Sequence, residues 1–332
     1  MQKKNSVKKS ALPVMLLFLF LTSQNLSSQT IPAADRKKLQ AKEDTLQQIA
    51  RYMILDTLPT GRLLAYKDFV PVFLRALKMK NSFYYPFDSV LGISKLYAPD
   101  SSFRIFTWYL EVDDYQGYQK GFIQLHTKDG TLKGYSLFDN SDFEQNPNTI
   151  VCRDTNWIGA VYYNIIKTEY EGKKYYTLFG LDRHSVRSTK KWIEVLTFDE
   201  NNRPVFGGPL FSFEEDSIIK SPQHRFSIEY KKDARTYVNY EAELQMILVD
   251  HLISEADEPE SPWTLVPDGD YEGFKWQKGK WMHIDKVFTF ALKDGEAPVD
   301  DPILDLKGKA DEKKLQERSD KNKTKKPGGN NQ

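Results

Sequence analysis

The stretch YYTLFGLDRHSVRSTKKWIEVLTFDENNRPVFGGPLF, Tyr175 to Phe211, carries the reading of the fold. Aromatic and β-branched residues alternate with polar ones along YYTLFGLD and again along KWIEVLTF, the period of two that lays one face of a strand on a core. DENNRP is turn chemistry, and VFGGPLF returns to apolar residues after it. An antiparallel meander is predicted. The same order occurs roughly 70 residues upstream, in FRIFTWYLEV (Phe103 to Val112), GFIQLHT, the turn pair Asp129-Gly130 and TLKGYSLF. Setting Phe122 on Trp192 aligns FIQLHTKD with WIEVLTFD and places Gly134, Leu137 and Phe138 on Gly207, Leu210 and Phe211.

Each copy has a further strand in front of it, LGISKLYA before the first and AVYYNIIKTEY before the second, the latter joined through Glu171-Gly172. A third unit begins with HRFSIEY at His224 and runs through ELQMILVDHLIS. After the acidic linker EADEPESPWTLVPDGD it ends in the hairpin GFKWQKGKWMHIDKVF. The units span about residues 90–138, 158–213 and 224–288, within a β body covering 83–295. The fold class expected is mainly β: repeated four-stranded antiparallel meanders, arranged like propeller blades or as a curled sheet.

Upstream of the meanders the period changes. Leu39, Leu46, Ile49 and Met53 recur at helical spacing between Ala33 and Leu58, and Pro59, Thr60 and Gly61 read as the stop. A second helix is expected from Asp68, with Phe69, Val70, Phe73, Leu74 and Leu77 as its stripe and Pro71 in its first turn. These form an N-terminal helical segment over 29–82. Before it, MQKKNSVKKS and the apolar run ALPVMLLFLFL, Ala11 to Leu21, read as a secretory signal peptide over 1–28. The run is too short for a membrane-spanning helix, so none is expected in the mature chain. A single cysteine, Cys152, excludes an internal disulfide framework and reads as a buried, inert thiol.

The chain of 332 residues has a net charge of +1, but the leader has four lysines and the segment from Lys307 has nine basic against four acidic residues. The body between them is therefore about −8, which argues against a nucleic-acid surface. Residues 296–332 are nearly devoid of apolar side chains after Leu306, and a disordered basic tail is expected there.

Asp182, His184 and Ser185 lie within four residues and suggest a charge relay. Relays are assembled from distant segments, and Ser185 has no Gly-x-Ser-x-Gly elbow around it. The same stretch instead carries Arg183, His184, Arg187, Lys190 and Lys191 without an acid among them. It reads either as a solvated crossover whose cations pair with neighbouring acids or as a contact for an anionic ligand or partner. Trp276 and Trp281 flank a turn and should face each other across a hairpin, as a stabilising pair or as a platform for a sugar ring. His283 with Asp285 and Asp250 with His251 are the best metal pairs, and no metal site is expected of them. No phosphate loop, dinucleotide fingerprint or calcium loop occurs, so no cofactor is expected.

FYYPFDSVLGISKLYAPDSSFRIFTWYLEV together with KKYYTLFGLDRHSVRSTKKWIEVLTFDENNRPVFGGPLF resembles a widespread set of exported Gram-negative bacterial proteins with no assigned activity. The resemblance covers about residues 55 to 290. It implies a β-rich protein of the periplasm or outer envelope. The function expected is non-enzymatic binding or scaffolding in the cell envelope, toward an anionic component or a glycan. The alternative is a glycan-binding or glycan-processing exported protein.

Overall fold

The apolar stripes read from the N-terminal segment close on each other as an antiparallel helix pair, α1 (Ala33–Leu55) and α2 (Pro59–Leu77). In this computed structural model the residues described are 31–113, 115–216, 220–288, 314 and 316. The expected signal peptide and, apart from residues 314 and 316, the expected tail lie outside them. Leu39, Leu46, Ala50 and Met53 of α1 are buried against Phe69, Val72, Phe73, Ala76 and Leu77 of α2. The second helix starts nine residues before Asp68. Pro59 sits in its first turn, where a missing N–H costs nothing, so the residues read as a stop are a start. Pro71 is consequently inside the helix.

The helices cover the first of three sheets. It is formed by β1 (Ile93–Tyr97), β2 (Phe103–Glu111), β3 (Gly117–Leu125) and β4 (Lys133–Phe138), in that order and antiparallel throughout. This is the first meander as expected. Side-chain alternation splits it between two cores. Phe106, Trp108, Leu110 and Phe122 pack under the helices, while Phe103, Ile105, Ile123 and Leu137 face the next sheet.

That second sheet contains β5 (Cys152–Arg153), β6 (Val161–Tyr170), β7 (Lys173–Asp182), β8 (Ser188–Phe198) and β9 (Pro204–Phe206), in the order β5-β9-β8-β7-β6. Leu178, Trp192 and Leu196 meet the first sheet, and Phe179, Ile193 and Val195 face the third. VFGGPLF is not one strand. Gly207 (φ 88°) and Gly208 (φ 132°) end β9 in conformations that side-chain-bearing residues rarely adopt. The chain then leaves the sheet, and β10 (Phe211–Ser212) pairs in parallel with a strand of the third.

The exchange runs both ways. The segment HRFSIEY, expected to open the third unit, forms β11 (Arg225–Lys231) and pairs antiparallel with β8 of the second sheet. The third sheet is therefore β12 (Val238–Glu241), β13 (Met246–Ser254), β14 (Leu265–Gln277) and β15 (Lys280–Ile284), with β10 on its edge. β14 also takes in Leu265 to Asp270 of the acidic stretch read as a linker, with a bulge where it passes Asp250 and Leu252. Lys278 (φ 48°) and Gly279 (φ 81°) make the two-residue turn between β14 and β15, as the right-handed strand twist favours.

The result is a stack of four layers, the helix pair and three open sheets, with one apolar core at each seam. Among the described residues no sheet closes on itself or curls into a continuous wall.

Candidate functional site

DRHS, the group that first suggests chemistry, is a turn built on itself. β7 ends at Asp182, whose Oδ1 accepts the His184 backbone N–H at 2.9 Å, and His184 takes a left-handed φ of 43°. Ser185 Oγ accepts the backbone N–H groups of Arg187 (3.2 Å) and Ser188 (2.9 Å) and lies 2.7 Å from Ser188 Oγ. His184 faces Asp182 Oδ2 at 3.7 Å and Glu229 Oε1 at 3.4 Å. Nothing links the imidazole to Ser185, so the three residues do not form a relay.

The basic residues do not converge either. β8 begins at Ser188, so Lys190 and Lys191 are adjacent on a strand and project to opposite faces. Lys190 Nζ is 3.3 Å from Glu229 and 5.3 Å from the centre of the Trp192 ring. Lys191 donates to the Thr236 carbonyl and lies over the Tyr163 ring. Burial holds its pKa below the usual lysine value despite Asp250 nearby. Arg183 pairs with Glu111 and stacks on Tyr109, and Arg187 lies 4.1 Å from the centre of the Trp263 ring. The acids these cations meet come from β2 and β11, far away in sequence.

Trp276 and Trp281 are directly opposed in the β14–β15 register, with ring centres 5.2 Å apart. Trp281 is wholly buried and its Nε1 donates to Thr177 Oγ1 at 3.0 Å. Only Trp276 retains exposed surface, and it leans on Tyr175. The pair thus presents no two-ring platform.

Of the metal pairs, His283 turns from Asp285 to Asp216 (2.9 Å) and Glu272 (3.0 Å), one on each ring nitrogen, and His251 meets Asp268 at 2.8 Å. Among the described residues no group of three His, Cys, Asp or Glu side chains could hold a metal ion. Cys152 is fully buried, and burial raises its thiol pKa.

What the structure does assemble is a polar cleft at one end of the seam between the first and second sheets. Along this seam Phe103, Ile105, Ile123, Leu178 and Leu196 make an apolar core. Farther along the same strand faces come Tyr109, Gln119, Asp182 and Lys190, and the seam opens into a cavity of about 470 Å³. A neighbouring hollow of about 610 Å³ shares Tyr109, Tyr115 and His184 with it.

Gln119 organises the cleft. Its backbone N–H donates to Asp139 Oδ2 (3.3 Å) and its side-chain amide to Asp182 Oδ1 (3.1 Å), joining the two carboxylates across the seam. Asp139 also accepts from the Ser141 backbone N–H, the Ser141 hydroxyl and the Gly159 backbone N–H. A Cβ on Gly159 would come within 2.4 Å of the Gln119 Cβ, so this approach requires glycine. Burial raises the Asp139 pKa above the ordinary carboxylate value. At Asp182 burial acts the same way, but donation by His184 and Gln119 outweighs it and the pKa is lowered.

Two polar atoms are left over. Gln119 Oε1 and Trp192 Nε1 are buried with no hydrogen-bond partner among the described residues, and they belong to residues that are each only 4% exposed and line the cleft. Burying such groups unpaired costs about 1–3 kcal/mol each. Asp182, His184 and Lys190 were visible in the sequence as a charged loop. Gln119 and Asp139 were not, because the only sign of them is a glutamine at a core-facing position of GYQKGFIQL. Comparison with protein-family models, curated proteins and solved structures finds no match for this chain.

Proposed function

We propose that the chain is an exported, non-catalytic binding protein of the bacterial cell envelope that holds its ligand in the cleft between the first two sheets. The observation that carries this is the unpaired acceptor and donor, Gln119 Oε1 and Trp192 Nε1, in a cleft whose other buried side-chain polar atoms have partners. A bound molecule would recover the cost of both. Against catalysis, Asp182, His184 and Ser185 are committed to a turn and to Glu229. Export and the envelope rest on the lysine-rich leader with its apolar run and on the resemblance.

We also read the first two sheets as copies of one meander unit, stacked like propeller blades without closing a ring. In support, the aligned Phe122 and Trp192 both face the preceding layer, and Ile123 and Ile193 both face the following one.

Thermal unfolding in the presence of fractionated envelope carbohydrate and lipid tests the binding reading. One fraction should raise the midpoint of the wild-type chain and not that of Tyr115→Ala, which alters an 87% exposed residue at the cleft. An equal rise in both proteins removes the cleft from the reading. Turnover that persists through repurification removes its non-catalytic part.

A further inference from the structure

We infer that the ligand of this cleft is a neutral, hydroxyl-rich oligosaccharide; this rests on the proposal that the cleft is a binding site. Three observations point to that chemistry. The first is the nature of the unpaired atoms. Gln119 Oε1 requires a donor and Trp192 Nε1 an acceptor. A hydroxyl is both, whereas a carboxylate or sulfate offers only acceptors and an ammonium only donors.

The second is charge. The cations around the cleft and its two central carboxylates already have protein partners: Lys190 has Glu229, Arg183 has Glu111, Asp182 has His184 and Gln119, and Asp139 has four donors, while the other charged groups at its rim include the acids Asp142 and Glu144. An anionic ligand would have to break one of these pairs. A neutral ligand breaks none and can still accept hydrogen bonds from, or donate them to, their outer faces.

The third is the wall. Tyr115 is 87% exposed at the junction of the two hollows, with Tyr109 beside it. Rings of this kind offer a flat apolar face with a polar edge, which matches the C–H face of a sugar ring and its hydroxyl rim. Each hollow lies within the ~300–1,000 Å³ range of small-molecule sites, and together they can take a short chain of rings.

Titration calorimetry on the full exported chain decides it. The probes are neutral chito-, malto- and cello-oligosaccharides on one side, and inorganic phosphate and a sulfated oligosaccharide on the other. The proteins are wild type, Tyr115→Ala, and Trp192→Phe, which removes the indole N–H, with Trp263→Ala as a control ring outside the cleft. Circular dichroism establishes that each is folded.

At least one neutral series should bind in the millimolar range or tighter. Tyr115→Ala should weaken it about three- to tenfold, Trp192→Phe by a similar factor, and Trp263→Ala not at all. Absence of binding by every neutral series overturns the inference. If the anionic probes bind instead and the two cleft variants weaken them, the cleft stands as a site and the sugar assignment falls. If neutral binding is unchanged in both cleft variants, the cleft itself is wrong. Shortening of the oligosaccharide by wild type but not by Asp139→Asn would retain the sugar and overturn the non-catalytic reading.

Discussion

Arg104 and Arg225 are both almost wholly inaccessible, and they solve the problem of a buried guanidinium differently. Arg225 pairs with Glu194 (Nε to Oε2, 2.7 Å), and its other donors reach the carbonyls of Pro147, Ile150 and Phe206. Glu194 accepts the Tyr162 hydroxyl in turn, and Trp157 Nε1 donates to that hydroxyl at 2.7 Å. Glu194→Gln removes the charge that makes Arg225 tolerable. The loss should be about 3–5 kcal/mol, read as a lower urea midpoint at unchanged slope. Among the described residues Arg104 has no acid in ion-pair contact. Its donors reach the Ser82 and Tyr85 carbonyls, the Tyr97 hydroxyl and Gln124, aromatic rings surround it, and burial lowers its pKa to about 10.

His283 sets a pH dependence. Burial among Phe213, Phe226 and Phe274 disfavours its charged form, but Glu272 and Asp216 on the two ring nitrogens outweigh this and the pKa is raised. A raised histidine pKa means the folded state holds its proton more tightly than the unfolded chain. The contribution is therefore complete below about pH 6.5 and is lost as pH rises through the folded value. Unfolding midpoints measured from pH 6 to pH 9 should fall across that window in wild type, and the fall should shrink in His283→Gln. Identical profiles would mean that the pair of carboxylates does not hold a proton on the ring.

At the level of elements, the turn at Gly207 and Gly208 decides how the sheets are shared. Gly208→Ala places a side chain at a φ of 132° and should cost about 1–3 kcal/mol, measured as a drop in thermal midpoint. The strands themselves were readable, because alternation is a local property: FRIFTWYLEV, YYTLFGLD and KWIEVLTF all form where the period of two places them. Partner choice is not local. HRFSIEY has the alternation of a third-sheet strand, but Arg225 is within reach of Glu194 only when β11 lies along β8, so a buried ion pair between neighbouring strands of the second sheet overrides sequence order. The cleft escaped for the same reason. Asp139, Gln119 and Asp182 come from three separate strands or their ends, and nothing in their spacing brings them together. The basic stretch is the opposite case: neighbours in sequence, Lys190 and Lys191, are separated by the thickness of a sheet, and Arg183 and Lys190 pair with acids from other strands.

At the level of the molecule, each inner sheet is covered on both faces, and the helix pair is the lid of the first. Deleting residues 31–80 would bare Phe106, Trp108, Leu110 and Phe122 together, a contiguous apolar face. The truncated chain should elute as aggregate in size-exclusion chromatography while the full chain does not. The parallel pairing of Phe211 with Trp281 has a consequence in time rather than in energy. A chain that emerges N-terminus first has made almost all of the second sheet before β15 exists, and the ladder that fastens β10 must wait for it. Until residue 281 arrives, the core over Phe179, Ile193 and Val195 lacks the buried Trp281 ring. β15 is thus the latch of the stack, and a nascent chain stopped just short of it is the form that a chaperone would find hardest to release.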